Sequence, residues 1–231
     1  MTDDSLIKIK KEPVRVWDLP TRVFHWTLAV LVVFALITSE AEGGLFWTHL
    51  AAGYGVMGLV VFRLVWGVIG TRHARFTDFV RPWAVVRDHI KAMLRSSLSR
   101  SMAGSVGHTP AGGWMIIALL AALALLIATG FFAGDEGDKG PLAHYIGAWL
   151  ADAMSEAHES LNGLLWTLVG VHVGGVLFVS YTTKDNLIRA MWTGRKEQIA
   201  GEDIPAAGIP RVALSVTVGV VAVVAIVAAA W

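Results

Sequence analysis

The chain has 231 residues, 55% hydrophobic and only 16% charged, with a mean hydropathy of +0.59. Soluble domains carry about 25% charged residues, so this balance predicts a membrane protein, and a net charge of +1 gives no electrostatic case for a nucleic-acid partner. The chain has no cysteine, which excludes disulfides, thiolate metal sites, Cys-ligated iron–sulfur clusters and Cys-attached haem.

Five segments are long and apolar enough to cross a membrane, which takes about 20 residues. In chain order they are residues 23–39, 46–70, 111–133, 157–181 and 211–231. The last is a Val- and Ala-rich stretch with no polar group suited to chemistry, and it predicts a lipid-facing span. The expected fold is an all-α membrane protein, with a four-helix transmembrane bundle in residues 1–197 and a linker and fifth helix in 198–231.

The basic residues outside these segments are segregated by loop. They lie in the N-terminal tail, in the loop after the second span and in the loop after the fourth, which includes Lys184, Arg189, Arg195 and Lys196. The other two loops are acidic, with Lys139 as their only cation. Because cytoplasmic loops carry the excess of Lys and Arg, we expect a multi-pass protein of the bacterial inner membrane. Its N-terminus would be cytoplasmic and its C-terminus periplasmic.

Two further stretches are amphipathic but too short to span. Residues 82–98 predict a helix on the inner leaflet, and residues 141–154 predict one on the outer side. Each is either an ordinary surface helix or a docking surface for a partner.

Four of the eight histidines lie within or at the ends of predicted spans, where ionisable residues are costly to bury and mark functional sites. His158 and His172 are separated by about 21 Å along a helix and by only about 40° around it. Both imidazoles therefore leave one face of the fourth span, one near each membrane surface. His25 stands at the inner depth and His49 at the outer one. The predicted pairs are His25 with His172, and His49 with His158.

Two histidine pairs at two depths suit the axial positions of two haem irons, which neutral imidazole can ligate. Such an arrangement would form an electron path across the bilayer. A single intramembrane histidine is more often a packing residue, and zinc is the competing metal. However, the pairs lie about 20 Å apart, and Glu159, beside His158, points about 100° away from it.

The remaining histidines are weaker candidates. His73 and His89 lie in the basic inner loop and His108 precedes the third span, so we expect all three to be solvated or interfacial. His144 lies on the outer side and could contact a propionate of the outer haem.

Glycines and arginines near the histidines could support a haem. Gly53 in the second span and Gly174 in the fourth would leave room for a flat macrocycle, although small residues also allow close helix packing. Propionates favour cations at the membrane edge, but snorkelling to lipid headgroups explains the same arginines. The arginine candidates at the inner edge are Arg22, Arg63 and Arg72.

Four segments resemble the prokaryotic cytochrome b561 family, which includes the b-type cytochrome subunits of Ni,Fe-hydrogenases. They are VRVWDLPTRVFHW, GHTPAGGWM, HESLNGLLWTLVGVHVGG and KDNLIRAMWTGRK, and the resemblance covers about residues 14–197. It implies a four-helix core binding two haems b through the same four residues, His25, His49, His158 and His172. It also implies electron exchange between quinone and a soluble or periplasmic redox partner.

The sequence therefore predicts a di-haem b-type cytochrome of the respiratory chain, acting as an electron-transfer subunit of a quinone-linked oxidoreductase. Its external partner would be a c-type cytochrome or a hydrogenase-like enzyme. A His-based ion or proton transporter is the main alternative, and a purely structural membrane anchor is another.

Overall fold

The computed structural model describes residues 12–38, 44–94, 107–134, 139–198 and 203–230. Within this part of the chain, five helices are long and apolar enough to cross a membrane, so the predicted all-α membrane fold is confirmed. The five spans are α1 (Leu19–Ile37), α2 (Gly44–Ile69), α5 (Pro110–Phe132), α6 (Ala148–Thr183) and α8 (Ile209–Ala230). Between them lie α3 (Phe76–Phe79), α4 (Trp83–Leu94) and α7 (Leu187–Thr193).

Helix α2 is the centre of the bundle and packs against α1, α5 and α8, while α6 packs against α5. The core contains apolar side chains from α1, α2, α5 and α6, including Phe24, Val60, Trp66, Leu123 and Leu165. We call the end where α1 begins the N-side. Because successive spans alternate in direction, α2 and α6 end on the N-side, and α5 and α8 begin there.

Helices α1 and α5 both begin with a side-chain cap and a proline in the first turn. The carboxylate of Asp18 accepts a hydrogen bond from the Thr21 backbone N–H at 2.6 Å. The hydroxyl of Thr109 accepts one from the Gly112 backbone N–H at 3.1 Å. Such caps satisfy backbone donors that have no partner within the helix, and proline is tolerated there because it lacks a donor. These local signals set where both spans begin.

Asp18 also ties the N-side of the bundle together. It is only 4% exposed, and its carboxylate accepts hydrogen bonds from the Trp66 indole at 3.2 Å and from the Thr71 hydroxyl. Next to it, the antiparallel strands β1 (Glu12–Arg15) and β2 (Arg195–Gln198) form a two-stranded ribbon. The start of α1, the end of α2 and the loop after α7 therefore form one structural unit.

The predicted separate surface helix over 141–154 is wrong. A 3₁₀ turn covers Ala143–Tyr145, and the chain then runs as one 36-residue helix from Ala148 to Thr183. No glycine or proline interrupts residues 148–157, so the helix continues through the amphipathic stretch. At about 54 Å, α6 is longer than a hydrocarbon core of about 30 Å. Of the predicted inner helix, residues 83–94 are helical as α4, residues 95–98 lie outside the described residues, and its place on the inner leaflet stays a prediction.

The fifth span is docked on α2 rather than surrounded by lipid. A Cβ added at Gly219 would lie 2.7 Å from the Gly58 carbonyl oxygen, so the two backbones approach closely at these glycines. Ser215 is fully buried, and its hydroxyl donates to the Arg211 carbonyl at 2.9 Å. Small residues permit such contacts between membrane helices. The expected lipid-facing character therefore holds for only part of α8, and the boundary at residue 197 stays a prediction.

Candidate cofactor sites

The four histidines of the spans lie in two pairs. The ring centroids of His49 and His158 are 6.2 Å apart, and those of His25 and His172 are 6.3 Å apart. We call these the outer pair and the inner pair, because the inner pair is nearer the N-side. Imidazole nitrogen binds a metal ion at about 2 Å, so two axial imidazoles on one metal have ring centroids about 6 Å apart. Both pairs have that spacing.

The outer pair is oriented by backbone carbonyls. His49 Nδ1 lies 3.0 Å from the carbonyl oxygen of Ala35 on α1, and His158 Nδ1 lies 3.0 Å from that of Leu126 on α5. A carbonyl can only accept, so Nδ1 of each ring carries the proton and Nε2 keeps its lone pair. This tautomer leaves both outer histidines ready to ligate a metal through Nε2.

A threonine accompanies each of these carbonyls, three residues further along the same helix. The Thr38 hydroxyl donates to the Phe34 carbonyl at 2.9 Å and lies 3.5 Å from His49 Nδ1. The Thr129 hydroxyl donates to the Leu125 carbonyl at 2.9 Å and lies 3.3 Å from His158 Nδ1. The same carbonyl–threonine arrangement therefore occurs twice, on α1 and α5, around the two outer rings. Sequence reasoning missed both threonines.

A cavity of about 270 Å³ adjoins the outer pair and is lined by residues of α1, α2, α5 and α6. Gly53 lines it, and a Cβ added there would meet no atom within 4 Å. At Gly130, in contrast, an added Cβ would lie 2.8 Å from Cε1 of His158. Gly53 therefore borders open space as expected. Gly130, which sequence reasoning did not single out, leaves the space that the His158 ring occupies.

The described residues give the inner pair no comparable backbone support. His25 Nδ1 is buried and has no hydrogen-bond partner in the described part of the chain, and the same holds for the neighbouring Trp26 indole. The Arg22 guanidinium donates through Nη1 to the Trp192 carbonyl at 2.5 Å, while its Nε is buried and has no partner among the described residues. Buried donors usually find an acceptor, so these groups suit a bound molecule that carries acceptors.

Arg63 and Arg72 have different surroundings. Arg63 is 3% exposed, its guanidinium lies 5.1 Å and 5.7 Å from the ring centroids of Phe76 and Phe79, and its Nη1 has no described partner. Arg72 is mostly exposed and lies 3.7 Å from Asp78. Of the two, only Arg63 is buried in the N-side of the bundle.

Two other candidates lie away from the histidine pairs. Gly174 is exposed and sits about 200° around α6 from His172, so it is on the opposite face of that helix. His144 is exposed, its ring centroid lies 4.0 Å from that of Tyr145, and it does not line the outer cavity.

The expectation that the loop histidines are solvated or interfacial is wrong for His73 and His89, each only 8% exposed. His73 Nδ1 lies 2.8 Å from the Asp78 carboxylate, and burial lowers the pKa of His89. The His108 ring packs against Trp17 and Phe79, with centroids 4.4 Å and 4.8 Å away, and its Nδ1 is buried without a described partner. His73 and His89 are therefore buried residues, and the Nδ1 atom of His108 is buried among aromatic rings.

Burial and nearby cations keep the His108 ring neutral. Its pKa is lowered to about 3, first because the ring is desolvated and then because Arg63, Lys196, His73 and His172 lie near it. His108 lies in the GHTPAGGWM segment, which carried the family resemblance but was not treated as a site. Its position in that segment was the only sequence signal that could have identified it.

The family model of prokaryotic cytochrome b561 matches residues 16–194. The chain belongs to the prokaryotic cytochrome b561 family. This cytochrome b561 is accordingly a multi-pass membrane protein that binds haem b and takes part in electron transfer.

One curated relative is the probable Ni/Fe-hydrogenase B-type cytochrome subunit of Bradyrhizobium diazoefficiens. It is 22% identical to this cytochrome b561 over 219 residues, which cover 82% of this chain and 88% of the relative. No solved structure gives a significant match.

The residues present in this cytochrome b561 fit haem. Helix α6 is not closely packed against α1 or α2 in the described structure, although each histidine pair bridges α6 to one of them. A flat macrocycle between two axial ligands needs this separation. In addition, no group of three or more His, Cys, Asp or Glu among the described residues could hold a metal ion. Two imidazoles per site suit a macrocycle that supplies the other four ligands.

Proposed function

We propose that this cytochrome b561 holds two haems b and carries electrons between quinone and an external redox partner. His49 and His158 would hold the outer haem, and His25 and His172 the inner one. The observation that supports this most directly is the matching 6.2 Å and 6.3 Å spacing of the two pairs. When bound, haem b supplies a reversible one-electron couple of its iron.

The protein's contribution differs at the two sites. At the outer site, the carbonyls of Ala35 and Leu126 orient the ligands and hold their Nδ1 protons. At the inner site, Arg22 and Arg63 supply positive charge for the propionates, since each has a buried guanidinium nitrogen without a described partner. A cation held in a low-dielectric setting binds a carboxylate more strongly than it would in water.

The proposed membrane is the bacterial inner membrane, with the N-side facing the cytoplasm. The basic loops lie at that side, as the positive-inside rule requires, and the C-terminus would then be periplasmic. The external partner would be a periplasmic c-type cytochrome or a hydrogenase-like subunit. The second of these is supported by the relative whose name describes a hydrogenase cytochrome subunit.

Haem stoichiometry tests this proposal. The protein would be produced with sufficient haem, purified in detergent and quantified by the pyridine haemochrome method and by a reduced-minus-oxidised spectrum. We expect two haems b per chain, and a soluble quinol should reduce them. A ratio of one would contradict the two-site assignment. A colourless protein would favour an ion transporter or structural anchor.

A further inference from the structure

A second cavity, of about 1290 Å³, lies at the N-side edge of the bundle. Its walls come from the first turn of α1, from the segment joining α6 to α7, from β2 and from the start of α8. None of the four paired histidines lines it. Because the ends of three spans meet around it, we expect the cavity to lie where the spans pass from hydrocarbon into headgroups.

One wall of the cavity is apolar and follows a membrane helix. The α8 residues that line it recur at helical spacing and form one face of the first two turns: Ile209, Val212, Ala213, Val216 and Thr217. This face is about 12 Å long, and Leu19 at the start of α1 lines the cavity as well. The wall can therefore contact a hydrocarbon chain.

The lining of the cavity is strongly basic. Six basic side chains line it, against only two acidic ones, Asp18 and Asp185. The carboxylate of Asp18 already accepts three hydrogen bonds within the bundle. Burial lowers the pKa of Lys196, and the nearby negative charge of Asp185 raises that pKa again in part. The lining therefore carries an excess of four positive charges. The six basic residues are Arg15, Arg22, Lys184, Arg189, Arg195 and Lys196.

The strand register brings two of these charges directly opposite each other. Arg15 of β1 pairs with Arg195 of β2 in the antiparallel ribbon, and both residues line the cavity. Like charges directly opposite on two strands destabilise the pairing. Within the described part of the chain, no carboxylate lies within ion-pair distance of either guanidinium. An anion bound between them would remove this repulsion.

We infer that this cavity binds an anionic phospholipid. Its phosphate would lie between Arg15 and Arg195, and an acyl chain would follow the apolar face of α8. A quinone head is neutral and would gain nothing from four excess positive charges, whereas free phosphate has no use for the apolar wall. Basic pockets between membrane helices are a known means of binding anionic headgroups. Arg22 is also assigned to a haem propionate in the proposed function, but the other five cations still leave an excess of three positive charges, so the inference does not depend on how many haems the protein holds.

Lipid retention tests the inference. The full chain would be placed in nanodiscs of phosphatidylcholine containing a minor fraction of phosphatidylglycerol, and retained lipid would be counted by native mass spectrometry. We expect one retained phosphatidylglycerol per chain, with about tenfold preference over phosphatidylcholine. Inorganic phosphate should not displace it. Equal retention of both lipids, or displacement by phosphate, would overturn the lipid site. So would a quinone recovered in its place.

Substitutions in the lining test whether the lipid binds in this cavity. The double variant Arg15→Gln/Arg195→Gln should lose the preference by about tenfold. Arg87→Gln/Lys91→Gln is the matched control, since it removes the same charge from the exposed face of α4. Ala213→Trp fills the apolar wall without changing charge and should also exclude the lipid, which keeps the test valid if the double variant does not fold. Wild-type retention in Ala213→Trp, or equal loss in the control, would refute the assignment.

Discussion

The two histidine pairs have the same ring spacing but are held in different ways. In the outer pair, each Nδ1 is 3.0 Å from a backbone carbonyl of a neighbouring helix. In the inner pair, His25 Nδ1 is buried without a described partner, and the His25 ring contacts the edge of the neighbouring Trp26 ring. Helix packing therefore sets the spacing at both sites, whereas ligand orientation depends on local hydrogen bonds that, among the described residues, occur at the outer site.

Removing one ligand from each pair should have the largest effect. His172→Ala should lower the haem content from two per chain to one by loss of the inner haem, and His158→Ala should do the same at the outer site. In the proposed arrangement each pair would hold its own haem iron without a third protein ligand, so the sites should fail independently. Pyridine haemochrome analysis and redox titration would show which component is lost. If either variant lost both haems while remaining folded, the two-site arrangement would be wrong.

Gly130→Ala should weaken the outer site alone. The new Cβ would lie 2.8 Å from Cε1 of His158 and displace the ring. Overpacking of this kind costs about 1–3 kcal/mol, so we expect the outer haem to be at least partly lost during purification. Gly163→Ala is the matched control on α6, where an added Cβ meets nothing within 4 Å. A normal outer-haem spectrum in Gly130→Ala would show that His158 is held less rigidly than its contacts indicate.

His108 should make the N-side sensitive to acid. Its pKa of about 3 in the folded protein lies below the ordinary value of 6.5. As the pH falls, His108 is therefore protonated in the unfolded chain before it is protonated in the folded protein. The free energy of unfolding falls as the pH drops from about 6.5 toward 3. The slope is at most about 1.4 kcal/mol per pH unit. In thermal melts between pH 7 and pH 5, His108→Gln should show a shallower fall in Tm than the wild type. An unchanged slope would mean that His108 is already protonated or accessible.

The smallest expected effect concerns the threonines beside the outer carbonyls. Thr129→Val removes a hydroxyl that also lies 3.2 Å from the Leu126 carbonyl, which then accepts more strongly from His158. The ligand becomes more basic and stabilises ferric iron. We expect the outer midpoint potential to fall by about 20 mV, equivalent to about 0.5 kcal/mol. The inner potential is the internal control, and a shift in both would contradict a local cause.

The spans and the relative depth of the histidines follow from sequence because both depend on local regularities. A run of about 20 apolar residues is enough to specify a membrane helix. Helix geometry alone places His158 and His172 on one face of α6. The four positions could therefore be paired without coordinates, although their role as ligands stays a prediction.

Other features depend on contacts between residues far apart in the chain. Sequence reasoning expected His73 and His89 to be solvated or interfacial, because hydrophilic composition does not reveal that both side chains are buried by other parts of the chain. It also overlooked Thr129, which in the sequence looks like any other polar residue in a span. Only the fold brings it beside His158, which is 29 positions away in the chain. Gly174 was a candidate because glycine leaves room for a flat ring. In the structure it lies on the face of α6 opposite His172.

Sequence by itself determined the membrane class, the five spans and the relative depths of the four paired histidines, since hydropathy and helical periodicity act within single segments. Tertiary structure alone decided which carbonyl meets each Nδ1, how closely α8 approaches α2, and that Arg15 stands opposite Arg195. These features depend on the packing of separate segments, to within a few tenths of an ångström, and no local pattern encodes that packing.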